Sequence, residues 1–284
     1  MDNKQRLPLT RLLADGLLFS LLLAPVASRQ AKPKAPASTT SASPASILAV
    51  PVKTFKVEHA NMAEALLKLR SSDVSRIVIG FERIPHREGE KGSPISLAVA
   101  DTTLGEIVQL LCQADPRYEY HVIEGRTISA NLSGSMIEVR PKGAAHDPGD
   151  ILSTRVRDYS INDTITPEAA IERVREDVPE LRDFLRRKRI EWIEKTGRQP
   201  GGSPGSIMSG NMPPPPFILE LSNVTVRQIL DAISLKSIEM FQHGNNYDSE
   251  GRQLRSGPVG WEYDFIIHPD ASTGLGGFPV WKPL

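Results

Sequence analysis

Three segments of the chain repeat one pattern of apolar and polar positions, that of a strand followed at once by a capped helix. In the middle segment Ile95, Leu97 and Val99 alternate with smaller or polar residues, which is typical of a half-buried strand. Thr103 precedes Glu106 by three residues, the spacing of a capping box, in which two side chains satisfy free backbone N–H groups of the first helical turn. The next apolar residues share one helical face: Leu104, Ile107, Val108 and Leu111.

The same order recurs nearer to each end of the chain. Thr225 and Gln228 form the capping box of the C-terminal copy, and Asn61 and Glu64 form that of the N-terminal copy. The strand positions before these boxes are Phe217, Leu219 and Leu221 in the C-terminal copy and Phe55 and Val57 in the N-terminal copy. The apolar helical stripe of the C-terminal copy is Val226, Ile229, Leu230 and Ile233, and that of the N-terminal copy is Met62, Ala65, Leu66 and Leu69. Because strand, cap and stripe agree in three places, we interpret them as copies of one structural unit.

Further apolar runs predict the strands that complete the first domain. These runs are Arg76–Phe81, Tyr118–Ile123 and Met136–Arg140. Gly and Ser residues within 131–135 separate the last two runs, as a hairpin requires. Residues 51–142 therefore predict an α+β domain with the element order β-α-β-β-α-β-β, in which helices pack on small mixed sheets.

This succession of elements resembles the secretin and TonB N-terminal short domain. The segments that carry the resemblance are, in chain order, FKVEHANMAEALLKL, SRIVIGFERI, ISLAVADTTLGEIVQLLC, YEYHVIEGRTI and MIEVRP. In that family the domain is a periplasmic module for protein–protein interaction, found ahead of outer-membrane secretins or of signalling TonB-dependent receptors. The resemblance is limited to residues 51–142, so it implies the module and not the channel or the receptor.

Residues 151–284 predict a second α+β domain, which the polar segment 143–150 joins to the first. Thr166 and Pro167 start one helix and Pro179 starts another, because threonine caps and proline fits the first helical position. A Pro- and Gly-rich loop over 198–216 precedes the third strand–helix unit, and Trp261–Ile267 predicts a closing strand. We interpret this half as a degenerate copy of the first domain with an inserted helical pair. The alternative is one larger mixed sheet that spans both halves.

The N-terminal segment predicts export. Residues 1–28 have the parts of a signal peptide, a basic start, an apolar stretch at Gly16–Ala27 and small residues at Val26–Ser28 for cleavage. The apolar stretch is shorter than the roughly 20 residues of a membrane span. Residues 29–50, rich in Ala, Ser and Pro, predict a disordered tether. We expect a periplasmic protein with no stable membrane span after cleavage; the alternatives are a membrane-surface helix or an uncleaved anchor.

Composition narrows the class of partner. The chain has 34 basic and 34 acidic residues, so it lacks the global field that favours nucleic acid or an anionic membrane. Its single cysteine, Cys112, excludes an intrachain disulfide, and its place beside Leu111 on a predicted helix favours a buried apolar role over a reactive thiol. We therefore expect a protein partner and no nucleic acid.

The sequence does not indicate a catalytic or cofactor-binding constellation. Gly201–Gly205 has the letters of a nucleophile elbow, but the strand and helix that must flank the serine are missing from this loop. Six histidines occur without metal-ligand spacing: His59, His86, His121, His146, His243 and His268. No phosphate-binding glycine loop precedes a predicted helix. We expect no enzyme activity, no metal and no cofactor.

One dense basic run is the candidate partner-binding surface; it consists of Arg186, Arg187, Lys188 and Arg189. An acidic protein, lipid headgroups or nucleic acid could bind such a run, and export makes nucleic acid the least expected of the three. The alternative is a solvated helix face that balances the nearby residues Glu176, Asp177 and Glu180.

The sequence therefore favours a non-catalytic adaptor of the bacterial envelope that binds another envelope protein. Two other functions stay open, a hydrolase of peptidoglycan or polysaccharide and a structural subunit of a secretion or transport assembly. A deep cleft lined by two close carboxylates would favour the hydrolase. An exposed sheet edge would favour the adaptor.

Overall fold

The computed structural model describes residues 47–72, 77–87, 89–90, 92–147, 149–188, 216–242 and 258–267. All of them belong to one compact unit that spans residues 40–284. The predicted signal peptide, residues 29–46 of the predicted tether, residues 198–215 of the predicted loop and Arg189 lie outside the described residues. Within the described ranges no helix is long and apolar enough to cross a membrane.

The chain contains both helices and strands, and parallel and antiparallel strand pairs both occur, so the predicted α+β class is confirmed. The strands are β1 (Pro51–Ala60), β2 (Ile79–Glu82), β3 (His86–Arg87), β4 (Ile95–Thr103), β5 (Tyr118–Glu124), β6 (Ser135–Pro141), β7 (Arg155–Asp163), β8 (Phe217–Thr225), β9 (Trp261–Tyr263) and β10 (Ile266–Ile267). The helices are α1 (Met62–Arg70), α2 (Leu104–Ala114), α3 (Gly125–Ile128), α4 (Pro167–Asp177), α5 (Pro179–Lys188) and α6 (Val226–Gln242).

The three predicted capping boxes are confirmed. At the start of α2 the Glu106 N–H donates to the Thr103 hydroxyl at 3.3 Å, and the Thr103 N–H donates to the Glu106 carboxylate at 3.0 Å. The pairs Asn61–Glu64 and Thr225–Gln228 form the same two bonds at the starts of α1 and α6. All twelve residues of the predicted helical stripes are buried. Local sequence alone therefore sets where these helices begin and which face they bury.

A four-stranded sheet with the order β5-β6-β2-β9 lies at the centre of the described residues. Strand β5 is antiparallel to β6, whereas β6, β2 and β9 run parallel. Ile79 and Phe81 lie in a first hydrophobic core with α1 and α2. Val78 and Met136 lie in a second core with α4 and α6. Both faces of the sheet are therefore buried, and the apolar side chains of its two inner strands are buried on both sides: Ile79, Phe81, Met136, Ile137 and Val139.

A two-stranded antiparallel ribbon closes the outer side of each core. The first ribbon is β1 with β4, and the second ribbon is β7 with β8. Phe55 and Val57 point into the first core, and Tyr159 and Ile161 point into the second. Residues at the end of the predicted tether also pack against the first core: Ile47, Leu48 and Val50.

The two ribbons have the same register. Pro51, Phe55 and Val57 pair with Thr103, Val99 and Leu97, and Arg155, Tyr159 and Ile161 pair with Thr225, Leu221 and Leu219. Two residues before each N-cap threonine, Asp101 and Asn223 both have left-handed backbone, with φ of 48° and 54°. Strand β7 with α4 is therefore a fourth strand–helix unit; the sequence indicates a strand over 152–161 and a helix from Thr166, but it does not identify the two as one unit.

Strand β9 comes from the C-terminal half and pairs with β2 of the N-terminal half. Two glycines permit this contact, because a Cβ at Gly80 would lie 2.6 Å from the Trp261 ring and one at Gly260 would lie 2.2 Å from the Ile79 carbonyl oxygen. The predicted closing strand over 261–267 is interrupted, since β9 and β10 are separate short strands. The two halves thus share the central sheet. A sheet that spans both halves is the feature that the alternative architecture, one larger mixed sheet, required.

Candidate functional site

A cavity lies at the carboxyl ends of the three parallel strands. Its lining includes Glu82 at the end of β2, Pro141 at the end of β6 and Tyr263 at the end of β9. The chain leaves β2 toward the first ribbon on one face of the sheet, and it leaves β6 toward the second ribbon on the other. In open sheets with parallel strands, such a divergence opens a crevice in which ligands commonly bind.

The cavity has a volume of about 460 Å³, within the range of small-ligand sites. Its apolar wall is formed by Pro85, Ile151, Phe184, Phe265 and Ile267. The lining residues Lys142, Asp147 and Lys188 are exposed and lie at the mouth, whereas Glu82 is buried and lies at the floor. A polar floor below an apolar wall can orient a ligand as well as hold it.

One buried arginine organises the floor. The Arg227 guanidinium of α6 donates through Nη1 to Glu82 at 2.6 Å and to Glu138 at 2.7 Å, and through Nη2 to Asp150 at 2.9 Å. Asp150 also accepts from the Leu152 N–H at 3.0 Å. Because Glu82 and Glu138 come from the N-terminal half and Arg227 from the C-terminal half, this cluster joins the two halves. We call Glu82, Glu138, Asp150 and Arg227 the Arg227 cluster.

Burial shapes the titration of the Arg227 cluster. It raises the pKa of Glu82 to about 7, because removal from water disfavours the carboxylate more than Arg227 favours it. It also raises the pKa of Asp150. Burial acts to lower the pKa of Arg227, but the charges of its three carboxylates together raise it above the ordinary value. Near neutral pH Glu82 can therefore gain or lose a proton while Arg227 stays charged.

A second buried contact fixes β9 against α6. The Trp261 indole N–H donates to Asp231 at 2.9 Å, and the Val259 N–H donates to the Ser237 hydroxyl at 2.8 Å. Burial raises the pKa of Asp231 well above its ordinary value. These bonds satisfy polar groups that would be costly to leave unpaired in the second core.

The basic run occupies the end of α5, with Arg189 outside the described residues. Arg186 binds Asp183 at 2.8 Å and is exposed. Lys188 differs from the others, because it lines the cavity and its ammonium lies 5.9 Å from the centre of the Phe184 ring. The run is therefore divided, with only Lys188 of its described members at the cavity mouth.

The acidic residues expected to balance this run have other partners. Asp177 binds Arg173 at 3.3 Å. Glu180 accepts from the backbone N–H of Arg157 at 3.3 Å. Since this N–H points away from β8, helix α5 covers the outer edge of β7 at Arg157.

The outer edge of β1 differs from the outer edge of β7. As far as the described residues go, β1 pairs only with β4. Lys53, two residues after Pro51, occupies the position in β1 that Arg157 occupies in β7. A strand edge left open over ten residues, Pro51–Ala60, is a template for a further strand.

Sequence reasoning did not identify the Arg227 cluster. A signal was present, because Glu138 interrupts the apolar run of β6 and Glu82 ends that of β2. Within the described residues no group of three or more His, Cys, Asp or Glu is arranged to hold a metal ion. Cys112 is half-buried beside the first core, and burial raises the pKa of its thiol to about 11.

Comparisons with known proteins found no match to this chain among family models, curated proteins or solved structures.

Proposed function

We propose that this chain is an exported, non-catalytic interaction module of the bacterial envelope, which binds a partner protein by adding a partner strand to β1. The resemblance to the secretin and TonB N-terminal short domain supports an interaction role. Strand addition relies on backbone hydrogen bonds and therefore needs no particular constellation of side chains. The partner is an envelope protein, and the predicted signal peptide and tether suit a module held in the periplasm.

The observation that carries this proposal is the difference between the outer edges of the two ribbons. The second ribbon has α5 on its β7 edge, where Glu180 accepts the Arg157 N–H at 3.3 Å. The first ribbon has the same register, yet the described residues place no strand beside β1 other than β4. Proteins commonly cover long strand edges, so an edge left open beside a covered counterpart favours a binding role.

A duplication accounts for this arrangement. We propose that residues 151–284 are a degenerate copy of 51–142, in which α4 is the counterpart of α1 and, of the predicted inserted helical pair, α5 is the added helix. The shared register of the ribbons and the shared left-handed residues Asp101 and Asn223 support this origin. In this proposal the second copy packs on the free face of the first copy's sheet, and of the two equivalent strands β1 and β7 it is β7 whose outer edge a helix covers.

Two substitutions at one position test strand addition. Lys53→Pro removes the N–H that faces away from β4, whereas Lys53→Ala removes only the exposed side chain. We expect affinity capture from envelope extracts to lose its partner with Lys53→Pro and to keep it with Lys53→Ala. Equal capture by both folded variants would contradict strand addition at β1.

A matched control uses the covered edge. Arg157→Ala leaves the backbone N–H that Glu180 accepts, so partner capture should be unchanged. Reversing the charges of Arg186 and Arg187 should also leave capture unchanged, because both residues lie on α5, the helix that covers the edge of β7. Loss of the partner with this charge reversal alone would move the binding surface to the end of α5.

One observation favours a second candidate function, a hydrolase of envelope polymers. Three carboxylates line the cavity, with Glu82 and Asp150 inside and Asp147 at the mouth, and a raised pKa such as that of Glu82 suits a general acid. Glu82 and Asp150 both bind Arg227, which favours a structural role for them. Steady release of fragments from peptidoglycan or polysaccharide by the purified protein, abolished by Glu82→Gln, would establish the hydrolase and end the proposal of a non-catalytic module.

A further inference from the structure

We infer that the cavity at the carboxyl ends of β2, β6 and β9 binds a short peptide with a basic side chain and a free carboxylate. The basic group lies at the floor beside Glu82 and Asp150, and the carboxylate lies at the mouth beside Lys142 and Lys188. The site is separate from the β1 edge. It rests on the proposed function only for the choice of a peptide as the ligand.

The topology places a crevice at this point. Strands β2 and β6 are neighbours and parallel, and the chain leaves them toward opposite faces of the sheet. The connections therefore diverge and leave space between Glu82–Pro85 and Pro141–Ala144, which are among the cavity's walls. Such a position supports ligand binding independently of its charge.

The charge of the floor selects a cation. Three carboxylates, those of Glu82, Glu138 and Asp150, share the single guanidinium of Arg227. Glu138 has Arg140 as a second partner at 3.2 Å, whereas Glu82 and Asp150, which line the cavity, share the one guanidinium of Arg227. An ammonium or guanidinium group of a ligand beside Glu82 and Asp150 would favour their ionised forms and would pair with them.

The apolar wall and the charged mouth of the cavity favour an aliphatic stem and an anionic group in the ligand. Phe184, Pro85 and Ile151 offer apolar surface between floor and mouth, which suits the aliphatic part of a lysine or arginine side chain. At the mouth Lys142 and Lys188 outnumber Asp147, so an anionic group is favoured there. A basic residue at the free C-terminus of a peptide provides cation, aliphatic stem and carboxylate in one unit.

Titration calorimetry of the purified full-length protein with the tripeptide alanyl-leucyl-lysine tests the inference. Two analogues each remove one charge: alanyl-leucyl-norleucine lacks the ammonium, and the C-terminal amide lacks the carboxylate. We expect each analogue to bind about tenfold or more weakly, since the loss of one charged contact of about 1.4 kcal/mol corresponds to tenfold. Equal binding of the three peptides would overturn the inference.

Protein variants locate the site. Ala144→Trp fills the cavity from its half-buried edge and should abolish binding, while the circular dichroism spectrum and melting temperature show whether the fold is intact. Lys188→Glu should weaken the tripeptide about tenfold but leave the amide unchanged. Arg187→Glu, on the same helix but not part of the cavity lining, is the matched control and should bind like the wild type.

The outcomes separate this site from the β1 edge. If Ala144→Trp is folded and still binds the tripeptide, or if the wild type binds none of the peptides, the inference fails while strand addition is untouched. If Lys53→Pro captures the partner normally but the tripeptide binds as expected, strand addition fails and the cavity site stands.

Discussion

Removal of the Arg227 side-chain charge should destabilise the protein more than any other single change of an arginine in the described residues. Arg227→Met keeps a long apolar stem and deletes the guanidinium that binds Glu82, Glu138 and Asp150. The arginine side chain is only 6% exposed, so water cannot replace the lost contacts. The variant thus leaves three carboxylates in or beside the second core without their shared counter-ion.

The expected cost is about 3–5 kcal/mol, the usual effect of removing one partner from a buried ion pair. This is a large part of the total stability of about 5–15 kcal/mol that is common for folded domains. The cost in unfolding free energy should become smaller as the pH is lowered. Without Arg227 the folded-state pKa values of Glu82 and Asp150 rise further above their unfolded values, so the penalty is full at high pH and declines as both carboxyls protonate.

Urea unfolding at about pH 8 and about pH 5, followed by circular dichroism, measures both effects. The matched control is Arg173→Met, because Arg173 binds Asp163 and Asp177 but is 40% exposed. That variant should lose about 1 kcal/mol or less. A loss for Arg227→Met that is as small as the control's, or one that does not shrink toward pH 5, would refute the structural role assigned to the Arg227 cluster.

Four further substitutions have expected outcomes. Gly80→Ala should lower the melting temperature, because the added Cβ would lie 2.6 Å from the Trp261 indole ring; an unchanged melting temperature would exclude this contact. Thr103→Ala and Thr225→Ala should each cost about 1 kcal/mol in unfolding free energy, and hydrogen exchange should show the loss at the start of α2 or α6 only. Glu82→Gln should flatten the pH dependence of stability. In the wild type the folded-state pKa of about 7 exceeds the ordinary value, so this group makes stability fall as pH rises toward 7, and an unchanged slope would contradict that assignment.

The local features of the fold could be predicted because their causes lie within a few residues. A capping box and an apolar stripe depend on spacings of three and four residues, and Thr103 with Glu106 formed the bonds that their spacing indicated. The strand–helix unit β7–α4 was not recognised because Thr166, which caps α4, has Ala169 and not Glu or Gln three residues on, so no capping box marks the unit. Strand β7 itself repeats the burial pattern of β1, since both strands place the same positions against a hydrophobic core.

The pairing of β9 with β2 could not be predicted, because it joins residues far apart in the chain. Gly80 and Gly260 each look like an ordinary glycine until Trp261 and Ile79 are placed beside them. The Arg227 cluster escaped for the same reason. Arg227 is the second residue of α6, a position where a solvent-exposed arginine is common. Its carboxylate partners are brought to it by the pairing of the strands and not by their spacing in the sequence.

The most direct test of binding at the β1 edge is site-specific photocrosslinking in cells. A photoreactive amino acid at position 53 of β1 is compared with one at position 157 of β7, its equivalent on the covered edge. Strand addition predicts a discrete higher-mass adduct from position 53 and none from position 157. Adducts from both positions alike, or from neither, would contradict the proposal that the open edge of the first ribbon is the partner-binding surface.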